Sequence, residues 1–152
     1  MATLEEILKR RKASTADALE IYDELPPVTI DFMIGRWKGY EIETGHKIDG
    51  LLVPSGWYGK VFVNKEDVHP LVFFGKGKKE LYALNPKHLP LDVKLPKISF
   101  LGTLMKLARP FLQTKKTKAR LRMVEHRGKI TATMLYDEKA IYDHFAKIDD
   151  NT

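Results

Sequence analysis

The chain has 152 residues, the size of one ordinary domain, and can bury a hydrophobic core without cross-links. Its 43% hydrophobic and 30% charged residues exclude a disordered or largely membrane-embedded protein. Cysteine is absent, which excludes disulfides, thiolate metal sites and cysteine nucleophiles.

The N-terminal stretch, MATLEEILKRRK, has no continuous apolar segment of the kind found in secretory signals. No apolar run approaches the ~20 residues that span a bilayer. We therefore expect no transmembrane segment and a cytoplasmic location.

The net charge of +6 is unevenly spread along the chain. Residues 76–129 hold 15 Lys and Arg against three acidic residues, so the flanking parts are acidic. Such a block either attracts phosphates, acidic lipid headgroups and other anions, or forms the solvated face of exposed strands.

Residues 1–25 are predicted to form a helical arm. Thr3 and Glu6 have the spacing of a capping box, and Ser14 offers a second helix start. Pro26-Pro27 ends the arm, because proline has no amide donor and restricts the residue before it.

After the prolines, short segments rich in aromatic and β-branched residues are separated by Gly, Pro, Asn or Asp. They read RWKGYEIE, KIDGLLVP, WYGKVFVN, HPLVFFG, KELYALN, KARLRMVEH, KITATMLYD and KAIYDHFAKI. This texture predicts about eight antiparallel strands in a barrel or sandwich.

Two other segments interrupt the predicted strands. Residues 86–97 contain three prolines and are predicted to be a loop, and SFLGTLMKLARPFL is predicted to form a short apolar helix over residues 99–108, ending near Pro110. Because its apolar residues occupy more than one face, this helix is either buried or serves as a lid, a dimer contact or a membrane-surface contact.

The segment GRWKG places Gly35, Trp37 and Gly39 on one face of a strand, since side chains alternate along it. Glycine weakens a strand interior unless another group comes close there. We therefore expect the two glycines to leave room for Trp37 to pack as the floor of the sheet, with Trp57 as a second aromatic.

The same five residues, 35–39, are the signature of the GXWXG domain family, and TGHKIDGLL, WYGKVF and HPLVF resemble its continuation. The segment from ARLRMVEH to the C-terminus resembles the companion domain of unknown function. The resemblance covers roughly residues 26–150. It implies a compact β-barrel-like protein and no established activity.

We predict a single structural domain, with the arm at 1–25, a GXWXG-like part at 26–98 and the companion part at 110–152. Similar proteins continue with a further β segment beyond the final aspartates. An edge strand left unpaired would then be covered by the arm or by a second subunit. A homodimer through this edge or through the 99–108 helix is one expectation.

Lipocalins and fatty-acid-binding proteins also place Gly-X-Trp early in the first strand, and lipocalins often stack a late arginine on it. Arg120 and Arg122 are candidates for that role here. The fold expected is therefore mainly β, an antiparallel barrel-like sheet of lipocalin or calycin type.

The predicted ligand-binding residues share a place in or beside the presumed cavity: Trp37, His46, Trp57, Lys60, Arg122 and Tyr136. Lys60 and Arg122 would meet an acidic or polar head, His46 and Tyr136 would support it, and Trp57 would contact an apolar tail. Regular alternation puts Lys60 opposite Trp57, unless Gly59 forms a bulge that turns both to one side. Asp49 or Asp137 is the alternative partner of an inward cation.

No Gly-X-Ser-X-Gly elbow, phosphate loop or dinucleotide fingerprint occurs, and no catalytic residue, cofactor or metal ligand set is predicted. Three functions remain open. The favoured one is binding of a small apolar or lipid-like ligand in a β-barrel cavity. The others are an acid–base enzyme of isomerase or hydratase type using His46 with Asp49, and a basic module for nucleic acid or acidic surfaces using residues 109–129.

Overall fold

The computed structural model describes residues 3–89 and 100–152 of the chain. It is mainly an antiparallel sheet of eight strands, as predicted. The strands are β1 Gly35–Lys38, β2 Trp57–Phe62, β3 Val68–Phe74, β4 Leu81–Leu84, β5 Gln113–Thr114, β6 Ala119–His126, β7 Lys129–Tyr136 and β8 Tyr142–His144. The helices are α1 Leu4–Arg10, α2 Thr15–Glu24, α3 Ile30–Met33, α4 Leu52–Ser55 and α5 Leu101–Leu112, with short 3₁₀ turns at Lys76–Lys78 and Pro86–His88.

The sheet runs in the order β1-β2-β3-β6-β7-β8, and β4 branches off β3 to pair with β5. Strand β3 supports both directions because its start pairs with β6 and its end pairs with β4. Among the described residues β1 and β8 do not pair with each other, so the expected barrel is not closed there. The sheet is instead an open one.

One predicted strand is not formed. KIDGLLVP forms a turn and helix α4 rather than a strand. The Glu41 carboxylate accepts hydrogen bonds from the backbone amides of Gly50, Leu52 and Val53 at 3.0–3.1 Å, which satisfies the free amides at the start of a helix. These contacts favour a helical turn over the strand suggested by the apolar run.

The core consists of two clusters on the sheet. The first is built from β2, β3, β6 and β7 together with the residues just before β1: Val28, Met33, Phe62, Val68, Ala119, Leu121, Ala132 and Met134. The second lies between β3, β4 and the inner face of α5, and comprises Leu71, Phe73, Tyr82 and Leu84 with Trp57, Leu89, Met105 and Leu112 against them.

The helical arm is confirmed over α1 and α2. Thr3 and Glu6 form the predicted capping box, and the Ser14 side chain caps α2. The end of the arm is fixed to the β6–β7 hairpin by an ion pair between Asp23 and Arg127. Residues 1–2 lie outside the described residues.

Residues 26–28 continue from the arm along the end of the sheet. Pro27 forms an antiparallel bridge with Ala146, and the amide of Lys147 donates to the carbonyl of Pro26 at 2.9 Å. The amide of Val28 donates to the buried Thr131 hydroxyl at 3.0 Å. This segment therefore covers backbone at the β8 end of the sheet.

Helix α5 is longer than predicted. It continues through Pro110 to Leu112 instead of ending before the proline. The ion pair of Arg109 with Glu80 and the packing of Leu112 against the second core cluster hold its last turn. Tertiary contacts thus override the local cost of proline. The start predicted at residue 99, like the loop residues 90–97, lies outside the described residues.

Candidate functional site

A cavity of about 390 Å³ opens on the concave side of the sheet. Apolar side chains form most of its wall, and a lysine, a tyrosine and an aspartate meet on one side. Its lining residues are His46, Lys47, Ile48, Leu52, Trp57, Lys60, Leu71, Tyr136, Ile141 and Asp143. The volume is within the range of small-molecule sites.

The charged groups of this cavity form a salt bridge. Lys60 Nζ lies 2.8 Å from Asp143 Oδ2, and the two side chains are 18% and 29% exposed. Lys60 Nζ also lies 3.4 Å from the carbonyl oxygen of Pro70 and 5.8 Å from the centre of the Tyr136 ring. The ammonium is therefore held by three elements, β2, β3 and the β7–β8 region.

The protonation states follow from these neighbours. Burial acts to lower the pKa of Lys60, but Asp143 and Tyr136 outweigh it, so the pKa lies above its usual value. Burial raises the pKa of Tyr136, although Lys60 opposes the change. At neutral pH the site therefore contains an ammonium group and an un-ionised phenol, which can donate hydrogen bonds to a ligand oxygen.

Sheet curvature brings Lys60 and Asp143 together. Strands β2 and β8 are four steps apart in the strand order, a path of roughly 19 Å at ~4.8 Å per step. A direct 2.8 Å contact across that path requires the sheet to curl over the cavity.

An irregularity in β2 turns Lys60 toward this space. The pairing of β2 with β3 shifts register on both sides of Gly59, which has φ +147. Trp57 and Lys60 consequently line the same cavity, although regular alternation would place them on opposite faces. Of the two arrangements that the sequence left open at Gly59, the structure has the irregular one.

The glycine at position 39 makes room for the ring of Trp57 and not for that of Trp37. A Cβ at Gly39 would lie 2.0 Å from the Trp57 ring, so the indole covers the bare backbone of the motif. A Cβ at Gly59 would lie 2.0 Å from the Trp37 carbonyl oxygen. The two glycines thus allow β1, β2 and the Trp57 ring to approach closely. The expectation that Gly35 and Gly39 make room for Trp37 is wrong, since the ring at Gly39 is that of Trp57 and no atom of the described residues lies within 4 Å of a Cβ placed at Gly35.

Trp37 has a structural position beside the site. Its Nε1 donates to the Met33 carbonyl at 2.8 Å, and its ring packs on Phe32 and the first core cluster. It lines a second, apolar cavity of about 170 Å³. Trp57 and Lys60 line both cavities, so the Trp57 indole lies at the boundary between them. Among residues 3–89 and 100–152, the buried Nε1 of Trp57 has no hydrogen-bond partner.

His46 lines the larger cavity, but Asp49 does not orient its ring. The Asp49 carboxylate accepts hydrogen bonds from the amides of Thr44, Gly45 and His46 at 2.7–2.8 Å. It therefore closes the loop that carries His46. Its geometry is that of a backbone cap and not of a catalytic dyad.

Arg122 lies apart from the predicted group. Its guanidinium pairs with Glu66 at 2.9 Å on the exposed surface, in place of the inward position expected for a ligand anchor. The expected stack on Trp37 is also absent from the ring contacts of the described residues. Arg122 follows the buried Leu121 on β6, and alternation turns it outward.

Asp143 is the member of the site that the sequence analysis missed. It pairs in register with Met134, two residues from Tyr136 on β7, and so shares the inward face of that strand. The alternation of β7 was visible in the sequence, but the register of the short strand β8 was not. Asp49 and Asp137, the partners considered for an inward cation, bond instead to a loop and to Arg120.

Part of the basic block is paired in the structure. In the described residues, six of its cations have carboxylate partners, namely Lys87, Arg109, Lys118, Arg120, Arg122 and Arg127. Within residues 3–89 and 100–152, no group of three or more histidine and carboxylate side chains is placed to hold a metal ion. In the same residues, no helix has the length and apolarity that crossing a membrane requires.

The fold and site together define a protein with an open, curved antiparallel sheet and a mainly apolar cavity that contains a partly buried ion pair. The family model described as GXWXG protein matches residues 20–77, and the domain of unknown function (DUF4334) matches residues 117–152. The chain belongs to the GXWXG family, with the companion domain following it. Comparison with curated proteins gave no match.

One solved structure is similar over nearly all of this chain. It is the crystal structure of a protein from Thermomonospora curvata, whose sequence is 30% identical to this chain and whose fold matches it with a TM-score of 0.64. The match covers 97% of this chain and 80% of that one.

Proposed function

We propose that the protein binds a small apolar or lipid-like molecule in the cavity above Lys60 and Tyr136. The observation that carries the proposal is the combination of an apolar wall with a fixed pair of hydrogen-bonding groups on one side. Binding sites of this kind use apolar contacts for affinity and a few polar groups for orientation.

The head of the ligand should be polar and uncharged, a hydroxyl or a carbonyl. The sequence analysis left an acidic head open, but Asp143 already supplies the negative charge beside Lys60. A second anion would be repelled by Asp143 or would have to displace it, at the cost of leaving a carboxylate unpaired. A neutral ligand oxygen can accept a hydrogen bond from Tyr136 or Lys60 without breaking the salt bridge between Lys60 and Asp143.

The tail would lie along Trp57, Leu71, Leu52 and Ile141. A ligand acceptor beside Trp57 would also satisfy the unpaired indole N–H, a buried donor that costs free energy when left alone. The smaller cavity behind Trp57 offers further apolar space if the indole turns.

The two alternative functions receive less support from the geometry. The acid–base proposal needs His46 oriented by Asp49, and that carboxylate is engaged with backbone amides. The raised pKa of Lys60 keeps it protonated, which disfavours it as a nucleophile. Binding of nucleic acid through residues 109–129 would draw on its arginines, and all four are already paired with carboxylates on the surface.

Native mass spectrometry of the unheated protein, followed by lipid extraction, tests the proposal. We expect a bound species that is neutral and mainly hydrocarbon, and that is lost in a Trp57→Ala/Leu71→Asn variant which remains folded. A protein that carries no small molecule and takes up none from a neutral lipid extract would contradict it.

A further inference from the structure

Helix α5 has a stripe of large apolar side chains on its outer face. Phe100, Leu104, Leu107 and Phe111 are 60%, 46%, 71% and 86% exposed. Their spacing of three or four residues places them on one side of the helix. Phe111 and Leu107 are the most exposed large hydrophobic residues in the described part of the chain. A contiguous apolar surface of this kind marks an interaction site.

A different face of α5 holds the helix on the protein, since Leu101 is buried and Met105 and Leu112 pack on the second core cluster. A Cβ at Gly102 would lie 2.8 Å from the Pro54 carbonyl oxygen, so α5 and α4 are in close backbone contact. The outer side chains can therefore be replaced without removing the contacts that fix the helix.

The segment that contains α5 and the residues after it carries basic residues and no acidic ones. Lys106 lies on α5, and Lys115 and Lys116 follow its C-terminal end; all three are exposed. The sequence contains no acidic residue between positions 100 and 124. In the described residues no carboxylate forms a salt bridge with any of the three lysines.

We propose that α5 docks the protein on an anionic lipid surface, with the stripe entering the headgroup boundary and the lysines meeting acidic headgroups. An amphipathic helix with apolar and basic residues has this behaviour. At 12 residues α5 lies in the interface and does not cross it. A second copy fits the face less well, because a two-fold interface would bring the same lysines against one another.

This docking goes beyond the proposed ligand binding and does not depend on it. The inner face of α5 packs on the same core cluster as Trp57, so a docked helix would hold this side of the sheet close to the lipid. Its test needs no ligand.

Flotation with vesicles tests the proposal. One set contains equal parts of phosphatidylcholine and phosphatidylserine, and the other contains phosphatidylcholine alone. The variants are Leu107→Glu/Phe111→Glu, which charges the stripe, and Lys115→Gln/Lys116→Gln, which removes cations. The matched control is Ile130→Glu, at a 61% exposed apolar residue on β7.

We expect wild type and Ile130→Glu to float with the serine-containing vesicles. The double glutamate variant should bind the serine-containing vesicles at least about tenfold more weakly than wild type does. The double glutamine variant should lose its preference for the acidic vesicles. Wild type that floats with neither vesicle, or Ile130→Glu that loses binding as fully as the stripe variant, overturns the proposal. The proposal is also overturned if light scattering shows a wild-type dimer that does not bind vesicles and that dissociates in the double glutamate variant. The stripe would then be the contact with a second copy.

Discussion

The ammonium of Lys60 and the carboxylate of Asp143 lie 2.8 Å apart, although their strands are four steps apart in the sheet order. The pair closes the curved sheet over the cavity, where β1 and β8 do not close it by backbone pairing in the described residues. It fixes both the shape of the cavity and the hydrogen-bonding groups on its side.

Asp143→Asn should therefore destabilise the protein by about 1–3 kcal/mol, because it leaves a partly buried ammonium without its counter-charge. Urea unfolding measures this loss. The matched control is Asp137→Asn, which breaks the more exposed pair with Arg120 and should cost about 1 kcal/mol or less. Equal losses in the two variants would show that the inner pair has no special role.

The same cluster predicts a loss of stability in alkali. The pKa values of Lys60 and Tyr136 are both raised in the folded protein, so the folded state holds these protons more tightly than the unfolded chain. Their contribution is complete below the ordinary values of about 10 and is lost as pH rises through the folded pKa values. The free energy of unfolding, followed by urea titration between neutral pH and alkali, should fall more steeply for wild type than for Lys60→Met. Parallel curves would contradict the assignment.

Gly39→Ala tests the packing of Trp57 on the glycine motif. The added methyl would meet the indole at 2.0 Å, so the ring must move, and we expect a cost of about 1–3 kcal/mol and a shifted tryptophan fluorescence spectrum. In a Trp57→Ala background the same change should cost much less, since the obstacle is gone. A cost that is unchanged in that background would mean that Gly39 is needed for another reason.

Lys129 provides a test of how the arm is docked. Its Nζ donates to the carbonyls of Tyr22, Asp23 and Leu25 at 2.6–3.1 Å, at the C-terminal end of α2. A cation there satisfies free carbonyls and interacts favourably with the helix dipole. Lys129→Met should speed hydrogen exchange in α2 while the β6–β7 hairpin stays protected. Lys116→Met, at an exposed position beyond α5, is the control; equal exchange in the two variants would refute this docking.

Some parts of the site could be predicted from the sequence and others could not. Tyr136 was expected beside the cavity and lines it, and Gly59, where the sequence allowed a bulge, is where the pairing of β2 with β3 shifts. Each of these features depends on the sequence of a single strand, β7 for Tyr136 and β2 for Gly59. The strand texture also predicted a mainly antiparallel sheet, and the capping residues predicted the arm.

The errors concern contacts between distant segments. Asp143 was missed because its inward position depends on the register of β8 against β7, which no local pattern in the sequence encodes. The Glu41 caps that turn KIDGLLVP into α4 join residues nine to twelve positions apart and outweigh its β-like composition. Arg122 was assigned inward on an analogy, whereas its neighbour Leu121 takes the buried side of β6.

Calorimetric titration with a fatty alcohol and the fatty acid of equal chain length tests the central claim most directly. The proteins are wild type, Lys60→Met and the surface control Arg122→Met. We predict that wild type and Arg122→Met bind the alcohol equally and more tightly than the acid, and that Lys60→Met binds it about tenfold more weakly, the loss of roughly one charged hydrogen bond. Failure of wild type to bind either compound, or equal binding of both by all three proteins, would contradict a ligand site built on Lys60.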